Sequence, residues 1–280
     1  MKSLKELSIA QIQDWKEFNA YRRGKHLGMH AGIAAIDRNV RGLTGIVGIQ
    51  GEPGSCKSTM ALQIAIENAK KGTPVFIVDR ENGKHRFRER LLGNVCQITR
   101  KQILECSDEA LRGYFKQVVD LPMFVATETL DLEQLRAYLE EMRTIFTTPI
   151  LLVVDSLQAL PRHGLDERQA LEAWLVGFDQ LKLDFGSNLV ILMTSEKRRG
   201  MYREASNDGG KGTGTIEFKC ELLFDMRYDL QTGIIFMNLV KNRDGACFAD
   251  AAMRKVMASS EPNSFLFKLE ETTIDTEDDL

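Results

Sequence analysis

Apolar runs alternate with amphipathic stretches along most of this chain. Runs that are apolar on both faces are typical of central parallel strands, because helices cover such a sheet from both sides. Between the runs, apolar residues recur at helical spacing, as in 131–146 and 166–185. The pattern therefore predicts an α/β fold with a mostly parallel central sheet and helices on both faces. The predicted buried strands lie at 45–49, 75–78, 121–126, 150–154 and 189–193.

The pattern changes after Gly214. Two short strand-like runs, 222–227 and 233–240, are separated by the turn-forming residues 229–232. Such a pair predicts an antiparallel hairpin. We therefore expect a C-terminal antiparallel hairpin extension of the parallel sheet, within one domain that spans residues 29–270.

The two ends of the chain differ from this domain. Residues 1–28 predict an amphipathic helical arm, and residues 271–280 form an acidic tail that we expect to be disordered. A short isolated helix is marginal in water, so the arm must bury its apolar stripe. Docking on its own domain and docking on a neighbouring subunit are equally compatible with the sequence. The stripe consists of Leu7, Ile12, Trp15, Phe18 and Tyr21.

Composition narrows the class of protein. The 280 residues are 43% hydrophobic and 28% charged, and no apolar run approaches the length of a membrane span. The five cysteines are scattered without a C-x-x-C pair, which indicates reduced thiols. We therefore expect a cytoplasmic protein without a membrane partner. The net charge of −3 does not indicate an overall basic surface for nucleic acid. Residues 80–90 and 197–203 are nevertheless basic islands, which could either bind a polyanion or form a solvated surface.

The segment 45–59 carries the clearest chemical signal. An apolar strand is followed by a loop of small residues that ends in Lys57, Ser58 and Thr59 and leads into a helix-forming stretch. This is the context of a phosphate-binding loop, in which backbone N–H groups and the helix N-terminus hold phosphates. Lys57 would contact the β- and γ-phosphates of ATP, and Ser58 would ligate Mg²⁺. The predicted nucleotide-binding residues are Gly51, Glu52, Pro53, Gly54, Ser55, Cys56, Lys57, Ser58 and Thr59.

Two carboxylates are candidates for the rest of an ATPase site. Asp155 follows a central strand, at the edge of the sheet where ligands bind, and would serve as the second Mg²⁺ ligand. Glu81 follows the strand at 75–78 and would polarise the water that attacks the γ-phosphate. Asp79 is a rival for that role, and Glu81 could equally be a surface charge.

Lys241 and Arg243 follow the strand predicted at 233–240. Cations at a strand end can neutralise the γ-phosphate of a neighbouring subunit, as an arginine finger does. The pattern alone fits a solvated strand end equally well.

In order and spacing, these segments resemble the RecA-fold motor domain of DnaB-type hexameric replicative helicases, over about residues 29 to 270. The resemblance implies Glu81 as the catalytic glutamate and Lys241 with Arg243 as a finger pair that acts in trans. It also implies that a loop contacts single-stranded DNA through Lys211, Gly212, Thr213 and Gly214. The supporting segments are 51–59, 78–81, 88–92, 153–158, 192–196, 214–217 and 240–245.

Three residues depart from the family pattern. Cys56 replaces a loop glycine, where a side chain either weakens nucleotide binding or is tolerated if its backbone is helical. Glu196 stands where the family has a γ-phosphate-sensing glutamine, which places a negative charge beside a polyanion. Gly212 replaces an acidic residue.

The sequence thus favours a ring-forming, hexameric ATPase that uses ATP and Mg²⁺ and moves along single-stranded DNA, with replication proteins as candidate partners. One alternative is a RecA- or KaiC-like ATPase that switches protein partners. Another is a nucleotide-binding accessory or loader scaffold with weakened catalysis, signalled by Cys56 and Glu196.

Overall fold

The computed structural model describes residues 28–197, 213–257 and 266–272, together with Asn19 and Arg23. In these residues, nine strands form one mixed sheet in the order 3-2-4-5-1-6-7-8-9. The strands are β1 (Ile46–Gly51), β2 (Val75–Asp79), β3 (Met123–Ala126), β4 (Ile150–Asp155), β5 (Leu189–Glu196), β6 (Leu222–Tyr228), β7 (Ile235–Asn242), β8 (Phe248–Met257) and β9 (Leu266–Glu271).

Helices connect and cover these strands. The longest, α7, spans Glu167–Phe185, and Asp166 caps it by accepting a hydrogen bond from the backbone N–H of Gln169. None of the helices in the described residues is long and apolar enough to cross a membrane. The other helices are α1 (Ala34–Asn39), α2 (Lys57–Lys70), α3 (Gly83–Cys96), α4 (Arg100–Glu105), α5 (Asp108–Lys116), α6 (Leu132–Ile145) and α8 (Thr213–Lys219).

The first six strands in the sheet order are parallel, so their carboxyl ends share one edge. Strand β1 lies between β5 and β6, and Gly51 at its end pairs with Glu196 and Met226. On the other side of β5, Asp155 at the end of β4 pairs with Asp79 at the end of β2. Ligands bind at this edge in open α/β sheets. The register therefore collects polar strand ends in one place.

Apolar side chains fill both faces of the sheet, as the sequence predicts. On one face, Met60 and Ile64 of α2 are fully buried against β1 and its neighbours. On the other, Leu139 of α6 and Phe178 of α7 are fully buried. The predicted α/β architecture, with parallel strands and an antiparallel extension, is confirmed.

The structure extends the prediction in two places. The C-terminal extension contains β8 and β9 as well as the predicted hairpin of β6 and β7. The region between β2 and β3 holds α3, α4 and α5, which the sequence interpretation did not include, and the last two have no buried residue. Helix α5 nevertheless carries apolar residues at helical spacing, at Leu111, Tyr114 and Phe115. Helix α4 is indicated by its capping residues, since Thr99 and Gln102 form a capping box at its start.

The predicted end segments fall almost entirely outside the described residues. Of the arm at 1–28, only Asn19, Arg23 and Gly28 are described. Glu271, the first residue of the predicted acidic tail, is the last residue of β9, and its carboxylate pairs with Arg38.

Candidate functional site

The loop between β1 and α2 takes its shape from two glycines. A Cβ atom at Gly51 would lie 2.3 Å from the carbonyl oxygen of Met226, so only glycine allows β1 and β6 to approach this closely. Gly54 has a φ of +84°, in the left-handed region that favours glycine. Helix α2 then begins at Lys57 without a capping side chain, which leaves the N–H groups of its first turn available to a ligand.

Cys56 is the N-cap residue of α2 and adopts left-handed backbone angles, with φ 69° and ψ 24°. The helical backbone angles under which a side chain would be tolerated here are therefore not present. A residue with a Cβ in this conformation is disfavoured by roughly 1–2 kcal/mol, whereas glycine is not. Burial raises the pKa of the Cys56 thiol despite the nearby Lys255, Arg90 and Lys57, so the thiol is protonated at neutral pH.

Cys56→Gly is expected to raise the free energy of unfolding by about 1 kcal/mol, because glycine removes the left-handed strain. Urea denaturation followed by circular dichroism measures the change. Cys56→Ala is the matched control, since it removes the thiol but keeps a Cβ atom, and it should give no comparable gain. Equal stability of Cys56→Gly and wild type would show that the left-handed conformation is not a source of strain.

Lys57 lies at the base of the loop and is largely buried. Its Nζ donates hydrogen bonds to the carbonyl oxygens of Gly51, at 3.1 Å, and Glu52, at 3.0 Å. Burial lowers the pKa of Lys57, and the negative charges of Glu196, Glu81 and Asp155 oppose that shift. The ammonium group is therefore poorly solvated, which favours contact with an anionic ligand.

Asp155 is held by two hydroxyl groups. Its Oδ1 accepts hydrogen bonds from Ser58, at 3.0 Å, and from Thr194, at 2.6 Å. Burial raises the pKa of the Asp155 carboxyl, and these two hydrogen bonds counteract the shift. The predicted pair of Ser58 and Asp155 is thus brought together from residues 97 positions apart. Sequence reasoning missed Thr194, whose only local signal is a polar residue directly after an apolar strand run.

Glu81 and Asp79 occupy different environments. Asp79 is buried, and its Oδ1 accepts hydrogen bonds from the backbone N–H groups of Glu81 and Asn82, so it orders the start of α3. Glu81 is exposed at the cleft, and its carboxylate accepts a hydrogen bond from the Ser156 hydroxyl. The geometry favours Glu81 over Asp79 as the group that could meet a water molecule.

Glu196 ends β5 and borders the same cleft as Lys57. Gln158 fixes this strand end: its Nε2 donates to Ser195 Oγ, at 2.9 Å, and its Oε1 accepts from the backbone N–H of Glu196, at 3.2 Å. Because residue 196 is a glutamate where the resemblance implies a glutamine, a carboxylate lies in the candidate site.

These groups surround one cleft of about 650 Å³. Three arginines that sequence reasoning missed, Arg86, Arg90 and Arg100, also line this cleft. Arg86 and Arg90 lie one turn apart on α3, within the basic island at 80–90. Guanidinium groups match phosphate geometry, so the cleft suits a polyphosphate. The lining includes Pro53, Gly54, Cys56, Lys57, Ser58, Thr59, Glu81, Arg86, Arg90, Arg100, Asp155, Ser156, Thr194 and Glu196.

The donor set fits a nucleotide with Mg²⁺. The buried hydroxyl of Ser55 has no hydrogen-bond partner in the structure, although it lies within the phosphate-binding loop. No group of three or more histidine, cysteine, aspartate or glutamate residues in the described ranges could hold a metal ion. Mg²⁺ is commonly bound by one carboxylate together with substrate phosphates and water, which is what Asp155 and Ser58 could support.

Lys241 and Arg243 lie at the opposite end of the parallel strands from the phosphate-binding loop. Asn242 pairs with Leu222, which in turn pairs with Val47 near the beginning of β1. The loop that binds phosphate follows the end of β1, roughly 13 Å further along the strand. These two cations are therefore remote from the cleft of their own subunit.

The predicted DNA-contacting residues are only partly described. Lys211 and Gly212 lie outside the described residues, whereas Thr213 and Gly214 begin α8.

Comparison with known proteins gives consistent results. A family model for the DnaB-like helicase C terminal domain matches residues 28–179, more than half of the 280 residues. A solved structure of an ATPase domain has a TM-score of 0.78 at 15% identity, and the match covers 91% of this chain and 96% of that one. A search of curated proteins finds no match.

Two further solved structures are similar. A DnaB-like replicative helicase, described with its interactions with primase, has a TM-score of 0.73 at 15% identity, and the match covers 91% of this chain and 65% of that one. The RadB recombinase has a TM-score of 0.57 at 18% identity, and the match covers 88% of this chain and all of that one. At these identities, the structural likeness establishes the fold alone.

Proposed function

Because this chain belongs to the family of the DnaB-like helicase C-terminal domain, we propose that it is an ATP-hydrolysing motor that forms a ring and moves along single-stranded DNA. The observation that carries the proposal is the triad of Ser58, Asp155 and Thr194, which lies in one cleft with Lys57 and Glu81. This arrangement provides a cation for phosphate, a hydroxyl and a carboxylate for a metal, and a second carboxylate for water.

In this proposal, the phosphates of ATP bind along the loop and the first turn of α2. Lys57 gives up its carbonyl partners for the β- and γ-phosphates, and the N–H groups of the helix terminus supply further donors. Asp155 and Ser58 would hold Mg²⁺, which neutralises charge on the β- and γ-phosphates when bound.

Glu81 supplies the base. Its carboxylate is oriented by Ser156, which leaves the carboxylate accessible from the cleft to accept a proton from the attacking water. Orientation matters because a general base must lie within hydrogen-bond distance of the proton it removes.

Arg243 and Lys241 would complete the site of the next subunit. Their distance from their own cleft means that they can stabilise γ-phosphate charge only across a subunit boundary, in a ring that we propose to be hexameric. The arm at 1–28 would pack on a neighbour and support this ring.

Single-stranded DNA would contact the segment Lys211, Gly212, Thr213 and Gly214. Glycine-rich backbone and one lysine give sequence-independent, salt-sensitive contact with phosphates. Replication proteins are the partners that this function would require, and the solved structure of a DnaB-like helicase described with primase supports that class of partner.

A second candidate function follows from Cys56 and Glu196. The strained residue in the phosphate-binding loop and the carboxylate near Lys57 both oppose tight binding of a polyanion. They favour a nucleotide-binding scaffold with slow turnover, either an accessory subunit or an ATPase that switches protein partners.

Steady-state ATP hydrolysis, measured with and without single-stranded DNA at low and high salt, separates these functions. A motor is expected to show stimulation by DNA that weakens with salt, because phosphate contacts release counterions. Lys211→Ala should reduce the stimulation and leave basal turnover unchanged. A rate of ATP hydrolysis that does not change with DNA would favour an ATPase that switches protein partners. Nucleotide binding without hydrolysis would favour the scaffold.

A further inference from the structure

The proposed finger residue Arg243 is bound to a largely buried carboxylate. We propose that Glu221 is a positioning residue for Arg243, which it holds at the end of the sheet remote from its own cleft. The inference rests on the proposed function, in which Arg243 acts on the nucleotide of the next subunit. It concerns Glu221, which matches none of the motifs recognised in the sequence.

Glu221 is fixed by contacts on both carboxylate oxygens. Its Oε2 accepts a hydrogen bond from the backbone N–H of Ile46, at 2.6 Å. Its Oε1 accepts a hydrogen bond from Lys182 Nζ, at 3.0 Å, and lies 3.5 Å from Arg243 Nη1. The side chain is only 13% exposed, so water competes weakly for these contacts. A carboxylate with three donors around it has little freedom to turn.

Arg243 is held at two points by this one residue. Besides the ion pair, its backbone N–H donates to the carbonyl oxygen of Glu221, at 3.0 Å. The Arg243 side chain is nevertheless 51% exposed. The backbone and one face of the guanidinium are thus restrained, while the exposed part can reach a neighbouring molecule. An exposed arginine without such a restraint samples many rotamers, and ordering it on contact opposes binding.

The same carboxylate touches the strand that carries the phosphate-binding loop. Ile46 is the first residue of β1, and the carbonyl oxygen of Gly51, its last residue, accepts a hydrogen bond from Lys57. Glu221 therefore contacts both Arg243 and the strand that leads to this subunit's own nucleotide site. In the proposed ring, these contacts would connect two adjacent ATP sites.

Lys241 restrains the same strand end in a different way. Its Nζ donates hydrogen bonds to the carbonyl oxygens of Glu217 and Phe218, in the last turn of α8. A cation is stabilised at a helix C-terminus by the helix dipole. In the single subunit, Lys241 is thus engaged locally, and Glu221 is the residue that restrains Arg243.

Glu221→Gln tests the inference with little change of shape. The amide oxygen can still accept the hydrogen bond from Ile46, whereas the attraction for Arg243 is lost. We expect kcat for ATP hydrolysis to fall roughly 10- to 100-fold, since small misplacements of a catalytic group have effects of this size, while the KM for ATP stays within about twofold. Glu172→Gln, which removes an exposed carboxylate paired with Arg168, is the matched control and should leave kcat unchanged.

The double variant Glu221→Gln/Arg243→Ala separates positioning from a structural role. If Glu221 acts through Arg243, the double variant should hydrolyse ATP no more slowly than Arg243→Ala alone. A further loss in the double variant, by the factor seen for Glu221→Gln, would overturn the inference, because Glu221 would then act on β1. Normal kcat in Glu221→Gln beside a slow Arg243→Ala would overturn it as well and leave the proposed finger intact. Normal turnover in Arg243→Ala would overturn the finger and the inference together.

Discussion

Glu81→Gln is expected to lower kcat for ATP hydrolysis about a thousandfold and to leave ATP affinity nearly unchanged. Glutamine is similar in size and can keep the hydrogen bond from Ser156, but it cannot accept a proton from water. Glu81 borders the cleft without a hydrogen bond to the predicted phosphate-binding groups, and its charge acts on Lys57 only at a distance, so removing that negative charge should not weaken ATP binding. The variant should therefore bind ATP and fail to turn it over.

Single-turnover hydrolysis together with fluorescence titration of a labelled ATP analogue measures both quantities. Glu89→Gln is the matched control, since Glu89 lines the same cleft and pairs with Arg100 instead of Ser156. It should retain most of its activity. If Glu81→Gln turned over at the normal rate, Asp79 would become the candidate base, despite its hydrogen bonds to the start of α3.

Arg243→Ala is expected to reduce hydrolysis about a thousandfold, the lower range for an arginine finger, without weakening ATP binding by the same subunit. The physical reason is location. Arg243 follows β7, whose end is level with the beginning of β1 across the intervening strand β6, and the phosphate-binding loop follows the other end of β1. Its guanidinium can reach a γ-phosphate only if a second subunit presents one.

Mixing two inactive variants tests whether the site is shared. In rings assembled from equal amounts of Arg243→Ala and Glu81→Gln subunits, about a quarter of the boundaries would combine an intact Glu81 with an intact Arg243. Hydrolysis should therefore reappear on mixing. A mixture as inactive as its components would argue that each subunit uses its own Arg243. Arg254→Ala is the control, because that exposed arginine on β8 pairs only with the Glu270 side chain among the ion pairs of the structure's described residues.

The central sheet could be predicted because burial on both faces leaves a direct trace in the sequence. Strand β4 is buried at all six of its positions, and its apolar run is continuous. Strand β7 is buried at alternate positions along its first half, as antiparallel strands with one wetter face often are. Strands β8 and β9 and the short helix α4 carry weaker patterns, which explains why the prediction lacks them. Helix α5 has apolar residues at helical spacing and was predictable by the same rule.

The candidate site was predictable to the extent that its residues sit at strand ends. The position of Asp155 after a buried strand placed it at the ligand-binding edge, and the loop before Lys57 identified its partner. The hydroxyl of Thr194 on Asp155 and that of Ser156 on Glu81 have no comparable signal. Serine and threonine after a strand are too common for their partners to be read from spacing.

The sequence by itself determined strands β1 to β7, the phosphate-binding loop and the position of Asp155 at the ligand-binding edge of a parallel sheet. These features depend on local periodicity and on short motifs, whose physical causes lie within a few residues. Only the tertiary structure decided that Cys56 has left-handed backbone angles, that Asp79 accepts hydrogen bonds from the start of α3 and that Glu221 pairs with Arg243. Each of these depends on atoms brought together by strand register, which side-chain burial across the whole sheet selects and no local pattern contains.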